Sequence, residues 1–74
     1  MKLPQISGLD VIKRLHKFGF IAVRRKGSHV ILEKRANSDV IKITVPMHPQ
    51  LKKGTLSRII KDAGLTGEEF ERLK

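Results

Sequence analysis

In the segment Arg24-Arg25-Lys26-Gly27-Ser28-His29, a histidine follows a run of three cations and a turn. Histidine is the side chain that takes and gives a proton near neutral pH. Gly27 admits a tight hairpin turn, so His29 opens the strand beyond it. A base held there can draw a proton from a hydroxyl. If that hydroxyl is the 2′-OH of RNA, its oxygen attacks the adjacent phosphate, and neighbouring cations stabilise the charge that develops on phosphorus. The plainer reading of the same residues is a surface histidine in a hairpin, and the local sequence leaves both open.

Two further clusters carry charge at useful spacing. Lys13, Arg14 and Lys17 sit at helical spacing opposite an apolar stripe, a pattern that fits contacts to phosphates or an ordinary solvated helix face. Pro46-Met47-His48-Pro49 is followed by Leu51-Lys52-Lys53-Gly54-Thr55-Leu56, where a helix begins. Helix N-termini attract anions through free N–H groups and the macrodipole, and Lys52 and Lys53 would strengthen that pull. The alternative is a charged helix entrance with Thr55 as N-cap. The order Gly-Lys-Ser/Thr of a P-loop is missing. His16, His29 and His48 are scattered and cysteine is absent, so no metal is expected. No cofactor is expected either.

Composition narrows the partners. The 74 residues hold sixteen Lys plus Arg against seven Asp plus Glu, a net charge of +9. Such an excess favours nucleic acid, an anionic membrane or an acidic protein. The excess is concentrated: Lys13, Arg14, Lys17, Arg24, Arg25, Lys26, Lys34 and Arg35 face a single acid, Glu33, within residues 13–35. Phe18, Phe20 and Phe70 are the only aromatics, so phosphate and sugar contacts should outweigh base stacking. No apolar run reaches membrane-spanning length, and Met1-Lys2-Leu3-Pro4 leads into no signal-peptide core. With no cysteine, these features fit a cytoplasmic protein. The length suits one domain spanning residues 1–74, and a domain this short buries only about 60% of its unfolded surface. Chemistry must then occur on the surface or in a shallow groove.

The elements that position these residues follow from hydrophobic period and punctuation. A helix is expected over residues 8–18, with Ser7 as N-cap, Asp10 completing a capping-box-like pair, Ile6 stapled to Val11, and Val11, Ile12, Leu15 and Phe18 as its apolar stripe. Gly19 ends it. Strands are expected over residues 20–25, 29–34 and 40–45, joined by turns at 26–28 and 35–39. Links this short imply an antiparallel meander. Along the second strand, His29, Ile31 and Glu33 alternate with Val30, Leu32 and Lys34. Both sets are mixed, so the wet face is not fixed. Leu56, Ile59, Ile60 and Ala63 mark a second helix ending at Gly64. Thr66 and Glu69 cap a short third helix, with Leu65 stapled to Phe70. The expected fold class is α+β, α-β-β-β-α: a three-stranded antiparallel sheet with helices on one face and a short C-terminal helix. Residues 55–73 also resemble a helix-turn-helix, but Glu68, Glu69 and Glu71 on the would-be recognition helix would repel DNA.

In order and spacing, Gly27-Ser28-His29, Ile43-Thr44-Val45-Pro46-Met47-His48, Leu51-Lys52-Lys53-Gly54-Thr55-Leu56, and Ile59-Ile60-Lys61-Asp62-Ala63-Gly64-Leu65-Thr66 with Glu68-Glu69-Phe70 resemble the HicA (YcfA-like) family of bacterial mRNA interferase toxins. The resemblance covers nearly the whole chain. It implies a fold similar to double-stranded RNA-binding domains, metal-independent cleavage of mRNA, and a HicB-type antitoxin that covers the active surface. It makes His29 the catalytic residue. The RNA-binding set is then Lys13, Arg14, Lys17, Arg24, Arg25, Lys26, Ser28, Lys52 and Lys53, with His48, Lys26 and Lys53 as candidates for a second acid or base. Many members carry a second histidine directly after the first, where this chain has Val30. The toxin alone is expected to be a monomer. The alternatives from the same residues are a non-catalytic RNA-binding module and a domain that binds an acidic protein.

Overall fold

The computed structural model describes residues 6–73. Residues 1–5, on which the reading of the N-terminus rests, and residue 74 lie outside the described residues. The order is α1 (Gly8–Lys17), β1 (Ile21–Lys26), β2 (His29–Ala36), β3 (Asp39–Pro46), α2 (Lys53–Asp62) and α3 (Gly67–Glu71). The strands form one antiparallel sheet in the order β1-β2-β3. This is the α+β arrangement expected from the hydrophobic pattern.

β2 and β3 run longer than the pattern suggested because the turns are tighter, while β1 keeps the expected length one residue further along. Gly27 and Asn37 adopt positive φ, 60° and 59°. This left-handed conformation suits glycine and is tolerated by asparagine. Each hairpin therefore closes on two residues, Gly27-Ser28 and Asn37-Ser38. The expected five-residue turn at 35–39 shrinks accordingly, and β2 and β3 pair in register from His29↔Pro46 to Ala36↔Asp39. On β1 the register slips between Ala22 and Arg24, a bulge at Val23. Such a bulge disrupts an edge strand as a template for further pairing.

The core lies between one face of the sheet and the helices. Val30 pairs with Val45 and Leu32 with Ile43, so all four share a face. They pack with Val11 and Leu15 of α1 and with Leu56, Ile59 and Ile60 of α2. Ser7 caps α1 by accepting from the Asp10 amide at 3.1 Å. Thr66 and Glu69 form the complete capping box of α3, which seats Phe70 in the core with no exposed surface. Thr55 is not the N-cap of α2. That position belongs to Lys52, whose side chain makes no capping bond, and Thr55 lies inside the first turn.

One contact ties α1 to the strand that flanks His29. The Gly8 amide donates to the His48 carbonyl at 2.9 Å, and a Cβ at Gly8 would overlap the carbonyl oxygen of Pro46. Pro46 is the direct cross-strand partner of His29. The helix start is thus wedged against the strand end beside the candidate base.

Candidate active site

His29 opens β2. Its neighbour Val30 points into the core, so period-two alternation places His29 on the open face of the sheet, away from the layer of α1 and α2 core side chains. This settles which of the two mixed sets is wet. Position 30 faces the opposite way, so a second histidine there would not share the face of His29. Lys26 is the direct partner of His29 on β1, and Pro46 is its partner on β3.

Past the β3 edge, α2 rises beside this open face and makes a trough. Its volume is about 420 Å³, and its walls include His29, Lys42, Thr44, Thr55, Arg58 and Asp62. A groove of this size is within the range that takes a small-molecule-sized group such as one nucleotide. The strand wall follows from register: Lys42, Thr44 and Pro46 alternate along β3 on the open side, while Ile43 and Val45 face the core. The helix wall follows from period. Thr55, Arg58 and Asp62 lie at i, i+3 and i+7 on α2, flanking the buried stripe of Leu56, Ile59 and Ile60. Lys42 pairs with Glu33 at 3.7 Å, and Arg58 with Asp62 at 3.8 Å. The result is an open groove holding one imidazole, two cations, one carboxylate and two hydroxyls.

The expected basic patch is divided between two faces. Arg24 pairs with Ile31 and Lys26 with His29, which places both on the open face. Arg25 pairs with the core-facing Val30 and so lies on the helix side, where its Nε donates to the Gly27 carbonyl at 3.2 Å. Lys13 and Lys17 are on that side too, lining an apolar groove floored by Ile12, Phe20 and Ala22. Arg14 borders a second surface pocket together with Lys13 and Lys17, but most of its side chain is covered. Its guanidinium lies 4.9 Å from the centre of the Phe70 ring and 3.7 Å from Glu71, and its side chain is only 13% exposed. These contacts fasten α3 to α1.

Lys52 and Lys53 are exposed at the start of α2. Ser28 is exposed in the β1–β2 turn, and its carbonyl accepts from the Met47 amide at 2.6 Å. His48 is exposed just beyond β3 and does not line the trough. His16 hydrogen-bonds through Nδ1 to the Phe20 carbonyl at 3.1 Å, closing the end of α1. Lys42, Thr44, Arg58 and Asp62 were not expected at the site from the sequence, and Thr55 was expected only as a helix N-cap. The 55/58/62 spacing on a helix adjoining β3 was the available signal.

Among the described residues there is no group of three or more His, Cys, Asp or Glu placed to hold a metal ion. No helix among them is long and apolar enough to cross a membrane. The family model described as the HicA toxin of bacterial toxin-antitoxin systems matches residues 8–65, from the first turn of α1 to just past α2. The chain belongs to the HicA toxin family. Among curated proteins the comparison finds no match. The toxin's place in a toxin–antitoxin pair implies an antitoxin as its protein partner. Both His29 and the α2 wall of the trough lie inside the matched segment.

Proposed function

We propose that this toxin is an RNA-binding, metal-independent endoribonuclease, an mRNA interferase, with His29 as its general base. The observation that carries the proposal is the placement of His29: exposed on the open sheet face, at a groove that also holds Lys42 and Arg58. In the reaction, the His29 imidazole takes the proton of a ribose 2′-OH. The 2′-oxygen bonds to the adjacent phosphorus as the bond from phosphorus to the 5′-oxygen breaks. The leaving oxygen takes a proton from water, which the open groove admits, and the His29 imidazolium gives its proton to the hydroxide left behind, which restores the base. The products are a 2′,3′-cyclic phosphate and a 5′-hydroxyl.

The cations supply binding. Lys26 and Arg24 meet the backbone beside His29, and Lys52, Lys53 and Ser28 extend the contact. Lys13, Lys17 and Arg25 engage RNA that passes round the hairpin to the helix side. Stacking has little part. Phe20 and Phe70 are buried, and Phe18 is packed beneath the Lys34 ammonium, which sits 3.5 Å from its ring centre. The contacts therefore go to phosphate and sugar, as in folds similar to double-stranded RNA-binding domains. A HicB-type antitoxin would silence the toxin by covering the open face.

The test is the chemistry of the ends. Cleaved RNA is expected to carry 2′,3′-cyclic phosphate and 5′-hydroxyl termini, and a 2′-deoxy substitution at the cut site should abolish the cut. Salt-sensitive binding without cleavage would leave a non-catalytic RNA-binding module. Tight binding to the antitoxin with no RNA affinity would leave a domain that acts on an acidic protein.

A further inference from the structure

We propose that Arg58 of α2 binds the phosphate under attack, and that Asp62 holds its guanidinium in waiting until RNA arrives. The proposal rests on the ribonuclease reading for its reaction, but its ligand, a phosphodiester, can be tested without cleavage.

The trough has two walls on separate elements, and each contributes a cation. Lys42 on the strand wall is engaged by Glu33, its direct cross-strand partner, at 3.7 Å. Arg58 on the helix wall has a weaker hold. Its ion pair with Asp62 spans 3.8 Å, and the two side chains are 84% and 51% exposed. Exposed i,i+4 pairs of this kind contribute little, whereas a guanidinium can meet a phosphate through two parallel N–H donors. The carboxylate is therefore held weakly enough for a phosphate to displace it. Arg58 and His29 border the same trough, so one bound nucleotide can present its 2′-OH to the imidazole and its phosphate to the guanidinium.

As the 2′-oxygen bonds to phosphorus and the bond to the 5′-oxygen breaks, negative charge builds on the two non-bridging oxygens. The Arg58 N–H groups donate to those oxygens, and no proton leaves the arginine. Asp62 has the opposite effect on binding. Its carboxylate competes with the phosphate for Arg58 and repels it. Loss of Arg58 should therefore weaken the site, and neutralising Asp62 should strengthen phosphate binding. A purely structural pair would give losses in both cases.

The experiment compares wild type, Arg58→Gln, Arg58→Lys and Asp62→Asn, with Arg72→Gln as a variant that loses the same charge from an exposed i,i+4 pair with Glu68 at the C-cap of α3. Two readouts are taken on folded protein: cleavage of a short RNA, and affinity for the same sequence made uncleavable by 2′-O-methylation. Removing one donor that stabilises developing charge slows a reaction by roughly 100-fold or more. That loss is expected for Arg58→Gln, with partial recovery in Arg58→Lys and no more than a twofold change in Arg72→Gln. Asp62→Asn should bind the uncleavable RNA more tightly than wild type. Cleavage by Arg58→Gln at the rate of Arg72→Gln would overturn the proposal. If wild type does not cut, the ribonuclease reading fails by itself, and the uncleavable RNA decides. Weaker binding by Arg58→Gln than by Arg72→Gln upholds the phosphate site, and equal binding overturns it.

Discussion

Replacing Gly8 with alanine should disturb both the fold and the candidate site through one atom. Gly8 begins α1 and is buried against the end of β3. A Cβ there would overlap the Pro46 carbonyl oxygen and lie 3.0 Å from the Pro46 carbonyl carbon and 3.1 Å from the Met47 Cα. All three are backbone atoms, so no side chain can swing aside. The helix start or the strand end must move instead. Overpacking of this kind costs about 1–3 kcal/mol, and backbone obstruction puts Gly8→Ala near the upper end. Alanine's better helix propensity returns at most about 1 kcal/mol. The net loss is then about 2 kcal/mol, which in a domain of this size lowers Tm by roughly 8–16 °C. Thermal unfolding followed by circular dichroism measures it directly. Because Pro46 pairs with His29, the NMR signals of Met47 and His29 should shift as well. A Gly8→Ala protein that melts within about 2 °C of wild type, with those signals unmoved, would refute the wedge between α1 and β3.

Arg14→Gln should lower stability by about 1–2 kcal/mol, through the lost ring contact with Phe70 and the lost pair with Glu71. At temperatures where the variant is folded, its RNA affinity should stay within about twofold of wild type, as measured by titration. The double variant Lys13→Gln/Lys17→Gln should keep its Tm and reduce the slope of log affinity against log salt by about 1 to 2, if each lysine meets one phosphate. An unchanged slope would remove the helix side from the RNA path.

Much of this architecture was legible in the sequence because local signals agreed with the tertiary packing. Ser7, Thr66 and Glu69 marked helix starts that the hydrogen bonds bear out. Gly27 marked a turn that its positive φ requires. The face of His29 was not legible, for a physical reason. Ile31 turns outward to the half-open sheet face, while Lys34 turns to the helix side and lays its ammonium over Phe18. A lysine that caps aromatic rings and an isoleucine on an open sheet blur the alternation that normally identifies the buried side. The trough was hidden for another reason. Its walls come from β3 and α2, and only the packing of α2 beside the β3 edge brings Thr44 near Thr55 and Arg58. Arg14 read as one of three cations on a helix face because nothing nearby in sequence announced Phe70 and Glu71 as its partners.

The most direct measurement is cleavage of RNA in EDTA by purified wild type and by His29→Gln, each with the same circular dichroism spectrum. General-base catalysis contributes typically 100- to 10,000-fold, so the variant should cut at least about 100-fold more slowly than a wild type that cuts readily. A variant that cuts at the wild-type rate would move the base away from β2. A folded wild type that leaves RNA intact would contradict the ribonuclease reading itself.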